Sequence, residues 1–135
     1  MIKELISFIK NLQEQQHEVI LLIDANEAMT DINSLIGKIL SQTQMCDPIF
    51  KQHGSKHEPN THIKGSKRID CVFCTQHISQ YIISSGILPF DFVTTTDHRA
   101  LFIDIYLNKY LQNPTQEYQD PQTRRLLSTI TKGIQ

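Results

Sequence analysis

The 135-residue sequence predicts a mixed α/β domain, an assignment that rests on three observations. Apolar residues recur at helical spacing from Ile2 through Leu5, Ile6 and Ile9 to Leu12, with Lys, Glu and Gln between them. Five consecutive aliphatics then follow, Val19 to Ile23, and two later segments, 68–74 and 99–106, are apolar or alternating over strand length. A composition 39% hydrophobic and 20% charged fits one ordinary globular core at this length.

The helical pattern runs from residue 2 to about 16 and should lay one face on a sheet. Val19 to Ile23 is too uniformly aliphatic for a half-exposed strand, so a central strand covered on both faces is expected, running directly into Asp24-Ala25-Asn26-Glu27. A second helix is expected over 31–40, carrying Ile32, Leu35, Ile36, Ile39 and Leu40, with Thr30 or Asp31 as its N-cap. From Ser41 to Gly65 the chain is polar and broken by Pro48, Gly54 and Pro59, which reads as a long loop with a short strand or turn at 47–50. Arg68 to Cys74 alternates as a strand, placing Ile69, Cys71 and Phe73 on one face and Arg68, Asp70, Val72 and Cys74 on the other. A further strand or extended segment spans 78–88, and the last strand runs from Arg99 to Tyr106. Residues 108–135 are a polar linker ending in a short helix, for which Asp120-Pro121 supplies the cap and first turn beneath Leu126, Leu127 and Ile130.

No apolar run approaches the roughly 18 residues of a membrane span. An acid at Glu4 interrupts the start where a secretory signal would be apolar. Three cysteines, an odd number, suit a reducing compartment. An intracellular protein, nuclear or cytoplasmic, is therefore expected. Net charge is only −1, so no global field recruits nucleic acid. Locally, however, Lys51, Lys56, Lys64, Lys67 and Arg68 gather with His53, His57 and His62 against Glu58 alone, the footprint of a contact to a phosphate backbone.

Chemistry concentrates at two strand ends. Asp97-His98 stands at the mouth of the last strand, where a carboxylate can hold a metal while the imidazole handles a proton or a phosphate. Asp24 and Asn26 follow the aliphatic strand, and two residues apart in extended chain they point the same way, so that carboxylate and carboxamide can converge on one phosphate or water. Cys71 and Cys74 have the spacing of a metal or redox pair, but on a strand their sulfurs diverge into buried surroundings. The six histidines form no zinc pattern and only His98 has an acid neighbour in a plausible site. No glycine-rich phosphate loop is present.

Taken in order, Ile23-Asp24-Ala25-Asn26, then Asn60-Thr61 through Ser66-Lys67-Arg68-Ile69-Asp70, then Thr96-Asp97-His98 form a series. It resembles the carboxyl-terminal half of the endonuclease/exonuclease/phosphatase superfamily, the DNase-like group that includes endonucleases of non-LTR retroelements. Ile23 stands where that family usually has Gly, Cys71 where it has Tyr, and Thr96 where it has Ser, so the polar positions are kept. Thr61 to Asp70 and the tail Asp120-Pro-Gln-Thr-Arg-Arg-Leu-Leu are most similar to the retroelement enzymes.

The resemblance implies that residues 1–107 are part of a four-layer α/β/β/α sandwich. It implies a phosphodiesterase dependent on Mg2+ or Mn2+ and acting on DNA, with Asp24 activating water or assisting the leaving oxygen and Asn26 holding the scissile phosphate. Asp97 would bind the metal and His98 would contact or protonate a phosphate oxygen, while Asp70 accepts the other ring proton. Lys51, Lys56, Thr61, Lys64, Lys67 and Arg68 would contact the nucleic acid. The family's amino-terminal motifs, among them a metal-binding Glu, have no counterpart before Asp24. The expectation is a fragment weak or inactive alone, or a chain that self-associates or recruits a missing half to cover apolar Ile69, Phe73, Leu101 and Ile103. A phosphatase acting on a phosphoinositide or another small phosphate ester, and a non-catalytic relic or interaction module, are the alternative readings.

Overall fold

A computed structural model describes residues 2–27, 33–54, 59–92 and 95–112. Their order is α1 (Ile2–Glu14), β1 (Ile20–Asp24), α2 (Leu35–Thr43), α3 (Pro48–His53), β2 (Asp70–Cys74), α4 (Gln76–Ser79), β3 (Ile82–Ile87), β4 (Leu101–Ile105) and α5 (Leu107–Leu111). The fold is mixed α/β, and its strands form two antiparallel pairs, β1 with β2 and β3 with β4. No helix among the described residues is long and apolar enough to cross a membrane.

Strand alternation builds the core. Leu21 and Ile23 of β1 stand opposite Phe73 and Cys71 of β2, and α1 and α2 cover that face with Ile6, Ile9, Ile36 and Ile39. Phe73 is fully buried there, worth about 1.5–3 kcal/mol against an exposed ring. The other face pairs Leu22 with Val72 and Ile20 with Cys74. Here α3 and β4 bury Val72 and Cys74, but Leu22 stays 66% exposed.

Several expectations are therefore corrected. The aliphatic run is not a central strand covered on both faces, because its one strand partner among the described residues is β2 and its outer face is open. Phe73 is not exposed, and Ile69, Leu101 and Ile103 are half-buried; the exposed apolar side chains among the described residues include Phe8, Leu22, Ile63, Ile83 and Phe92. The second helix starts at Leu35 rather than 31, capped by Ser34, whose hydroxyl accepts from the Gly37 amide at 3.0 Å. Thr30, Asp31 and Ile32 lie outside the described residues.

The expected long loop is interrupted by a helix. Asp47 caps α3, its Oδ1 accepting from the Ile49 and Phe50 amides at 2.9 and 3.0 Å, with Pro48 in the first turn where it needs no amide. Gln52 and His53 then tie α3 to Ser85 of β3. The segment expected to be extended over 78–88 is so only from Ile82, its first residues closing the helical turn Gln76–Ser79, and α5 occupies the start of the expected linker. Residues 113–135, with the helix expected after Asp120, lie outside the described residues. In the second strand pair Gly86 faces Phe102, and a Cβ there would come within 2.8 Å of its ring, so the close approach requires glycine.

Candidate active site

The site forms where the ends of β1 and β2 meet the segment entering β4. Antiparallel register sets Asp24 directly opposite Asp70. Asp70 shares its face of β2 with Val72 and Cys74, the face turned toward β4. Two carboxylates in register oppose one another electrostatically, and the arrangement calls for a cationic or protonated partner.

His98 supplies it. Its Nδ1 lies 2.9 Å from Oδ2 of Asp70. This hydrogen bond, more than the nearby charges of Asp70, Asp24 and Asp97, holds the imidazole pKa above its usual value, against a smaller opposing loss of hydration. With Nδ1 directed at Asp70, Nε2 is the nitrogen left for another partner.

A short backbone pairing holds this ring. Segments 61–63 and 97–99 run antiparallel, with the Ile63 amide donating to the Asp97 carbonyl and the Arg99 amide to the Thr61 carbonyl, both at 2.8 Å. His62 and His98 are therefore cross-strand neighbours with ring centroids 4.9 Å apart. Nε2 of His62 lies 3.3 Å from Oδ2 of Asp97. The Lys64 amide donates to His62 Nδ1 at 3.2 Å, so the neutral ring carries its proton on Nε2, toward Asp97. Partial desolvation would raise the Asp97 pKa, but hydrogen bonds from its own amide and from His62, with the nearby imidazoles, outweigh it and hold the carboxyl below the ordinary range. His62 was unremarkable in sequence; its role follows from a pairing 36 residues away.

Asp24 and Asn26 converge through a turn rather than extended chain. Asn26 is left-handed, with φ at 52°, and its amide donates to Asp24 Oδ1 at 3.1 Å. Both side chains remain exposed at the edge of the site.

The expected nucleic-acid contacts separate into two kinds. Lys64 and Lys67 are exposed on the turn that carries His62, and Lys51 is exposed on α3. Thr61 and Arg68 are not surface contacts. Thr61 is fully buried, its hydroxyl accepting from the Ile69 and Asp70 amides at 3.0 Å each. Arg68, 2% exposed, grips Asp47 through both terminal nitrogens at 2.8 and 3.3 Å and donates through Nε to the Asp70 carbonyl. Both residues position Asp70 from behind. Lys56 lies outside the described residues.

Among the described residues two groups could hold a cation: His62, Asp97 and His98, and Asp24, Asp70 and His98, each with ligand atoms within 4.8 Å of one another. No family model of known proteins matches the chain, and no curated protein sequence matches it either.

Proposed function

We propose that the chain carries the phosphate-handling residues of a divalent-metal-dependent phosphodiesterase that hydrolyses DNA. The observation that supports this reading is the Asp70–His98 hydrogen bond, set between two further carboxylates, Asp24 and Asp97. A carboxylate behind an imidazole fixes its orientation and favours its protonated form. In its protonated form His98 offers Nε2–H to a phosphate oxygen. Asp24, exposed and free to accept, orients the attacking water, and the Asn26 carboxamide holds a second phosphate oxygen. Lys64 and Lys67 follow the backbone of the polyanion.

Hard carboxylate oxygens with imidazole support fit Mg2+ or Mn2+, and Asp97 beside His62 is the residue that would hold it. Such an ion supplies positive charge to the developing oxyanion. In this reading the two strand pairs belong to a four-layer α/β/β/α sandwich, and turnover by these residues alone is weak.

The test combines binding and turnover. Titrating the chain with Mn2+ should broaden the ring protons of His62 and His98 selectively, an effect lost in Asp97→Ala. Supercoiled plasmid should be nicked slowly with Mg2+ or Mn2+, and Asp24→Ala and His98→Ala should both remove that nicking while the chain stays folded. A folded chain that neither broadens nor nicks overturns the proposal, and turnover of a phosphoinositide in place of plasmid moves it to the phosphatase reading.

A further inference from the structure

At the opposite end of β2 from Asp70 a pair of cysteines lies outside the proposed phosphodiesterase chemistry. Cys46, between α2 and α3, pairs with Cys74 at the end of β2. Each donates its amide to the other's carbonyl, at 2.9 and 3.0 Å. Residues in such a hydrogen-bonded antiparallel pair have Cα atoms about 5.5 Å apart, within the span that a disulfide bridges. The two sulfurs already stand 3.6 Å apart. Cys46 is partly open to solvent, whereas Cys74 is buried beneath it.

We infer that Cys46 and Cys74 form a peroxide-reactive dithiol, Cys46 being the attacking thiol and Cys74 the one that resolves it. The surroundings favour this division of labour. A hydrogen bond from the Cys74 thiol, more than any other contact, brings the Cys46 pKa down to about 6, with help from Ser79 of α4 and the Lys51 charge on α3 against burial and the Asp47 carboxylate. The same hydrogen bond, with burial and the neighbouring thiolate, drives the Cys74 pKa up. Cys46, the more open of the two, is thus the more acidic thiol, and Cys74 is the one that keeps its proton. Cys71, on the opposite face of β2, is buried among Ile6, Ile36 and Phe73 and takes no part.

The chemistry closes with hydrogen peroxide as oxidant. The Cys46 thiolate attacks one peroxide oxygen and the O–O bond breaks, leaving a sulfenic acid and hydroxide. The Cys74 sulfur then attacks the Cys46 sulfur, its own proton leaves with the displaced oxygen as water, and the S–S bond forms. Two thiols lose two electrons and the peroxide gains them. Because the backbones are already bonded across this pair, closure tightens the junction of α3 with β2 without refolding it, and the product is the more stable form.

The test treats the intact chain with dilute hydrogen peroxide and maps the product by mass spectrometry. The expected product has lost two hydrogens, links the Cys46 and Cys74 peptides, keeps Cys71 as a free thiol, and unfolds at a higher midpoint until dithiothreitol reverses it. In Cys74→Ser the reaction should stop at a sulfenic acid on Cys46 that dimedone captures, and Cys71→Ser should behave as the unmodified chain. Should Cys74→Ser fail to fold, iodoacetamide labelling of the unmodified chain decides the question: mapped to Cys46, its rate should reach half its maximum near pH 6. Over-oxidation of separate thiols without a Cys46–Cys74 link, or labelling that rises only in the ordinary thiol range, overturns the inference.

Discussion

Asp70 and His98 stand 28 residues apart in the chain, yet Oδ2 of one lies 2.9 Å from Nδ1 of the other. Each is placed by backbone pairing rather than by its own neighbours in sequence: Asp70 opens β2 with both its amide and that of Ile69 held by the Thr61 hydroxyl, and His98 is pinned by the 61–63 segment.

Replacing Asp70 with Asn should return the His98 pKa toward its ordinary value, read as the pH midpoint of its ring proton shift. The sign for stability follows. His98 is more basic folded than unfolded, so its contribution is complete below about pH 6.5 and fades as pH rises through the raised folded value. Urea midpoints of the unmodified chain should fall across that interval, and those of Asp70→Asn should fall less. The pair is partly exposed, so the difference stays within about 1 kcal/mol.

Thr61→Val keeps the shape but removes the acceptor of two backbone amides. We expect a loss of about 1–3 kcal/mol in denaturant unfolding, the cost of a buried unsatisfied donor. Thr61→Ser should recover most of it. Equal stability of the valine and serine variants would contradict the hydrogen-bonding role.

Arg68→Ala leaves the Asp47 carboxylate buried without its cation, and about 3–5 kcal/mol should be lost, enough to unfold a chain of this size at moderate temperature. Lys64→Ala and Lys67→Ala, both at exposed positions, should change stability by no more than about 0.5 kcal/mol. If the chain binds DNA as proposed, each lysine variant should reduce the slope of log affinity against log salt by roughly 0.9. Basic residues close in sequence are thus separable, Arg68 by folding and the lysines by salt dependence.

Asp47→Ala should unravel α3 as well as release Arg68. The cap alone is worth about 0.5–2 kcal/mol. A variant keeping the cap but shortening the reach to Arg68, Asp47→Ser, should retain far-ultraviolet helicity while losing most of the stability that the ion pair confers. Identical behaviour of the two variants would show that capping contributes nothing here.

The elements whose signal is local are legible in the residues alone: the periodic face of α1, the apolar strands β1 and β4, the opposed faces of Cys71 and Cys74, and Asp97-His98 at the entrance to β4. It also contained the Asp-Pro signature of α3 at 47–48, the same signature recognised at 120–121 but hidden at 47–48 within a polar stretch. Which charged residues face solvent and which hold the fold is set by packing: Lys67 is exposed on the turn, whereas Arg68, one position on, is drawn inward by the distant Asp47 carboxylate. His62 against Asp97, Arg68 against Asp47 and Cys46 against Cys74 are likewise products of register between distant segments, and no local pattern encodes register.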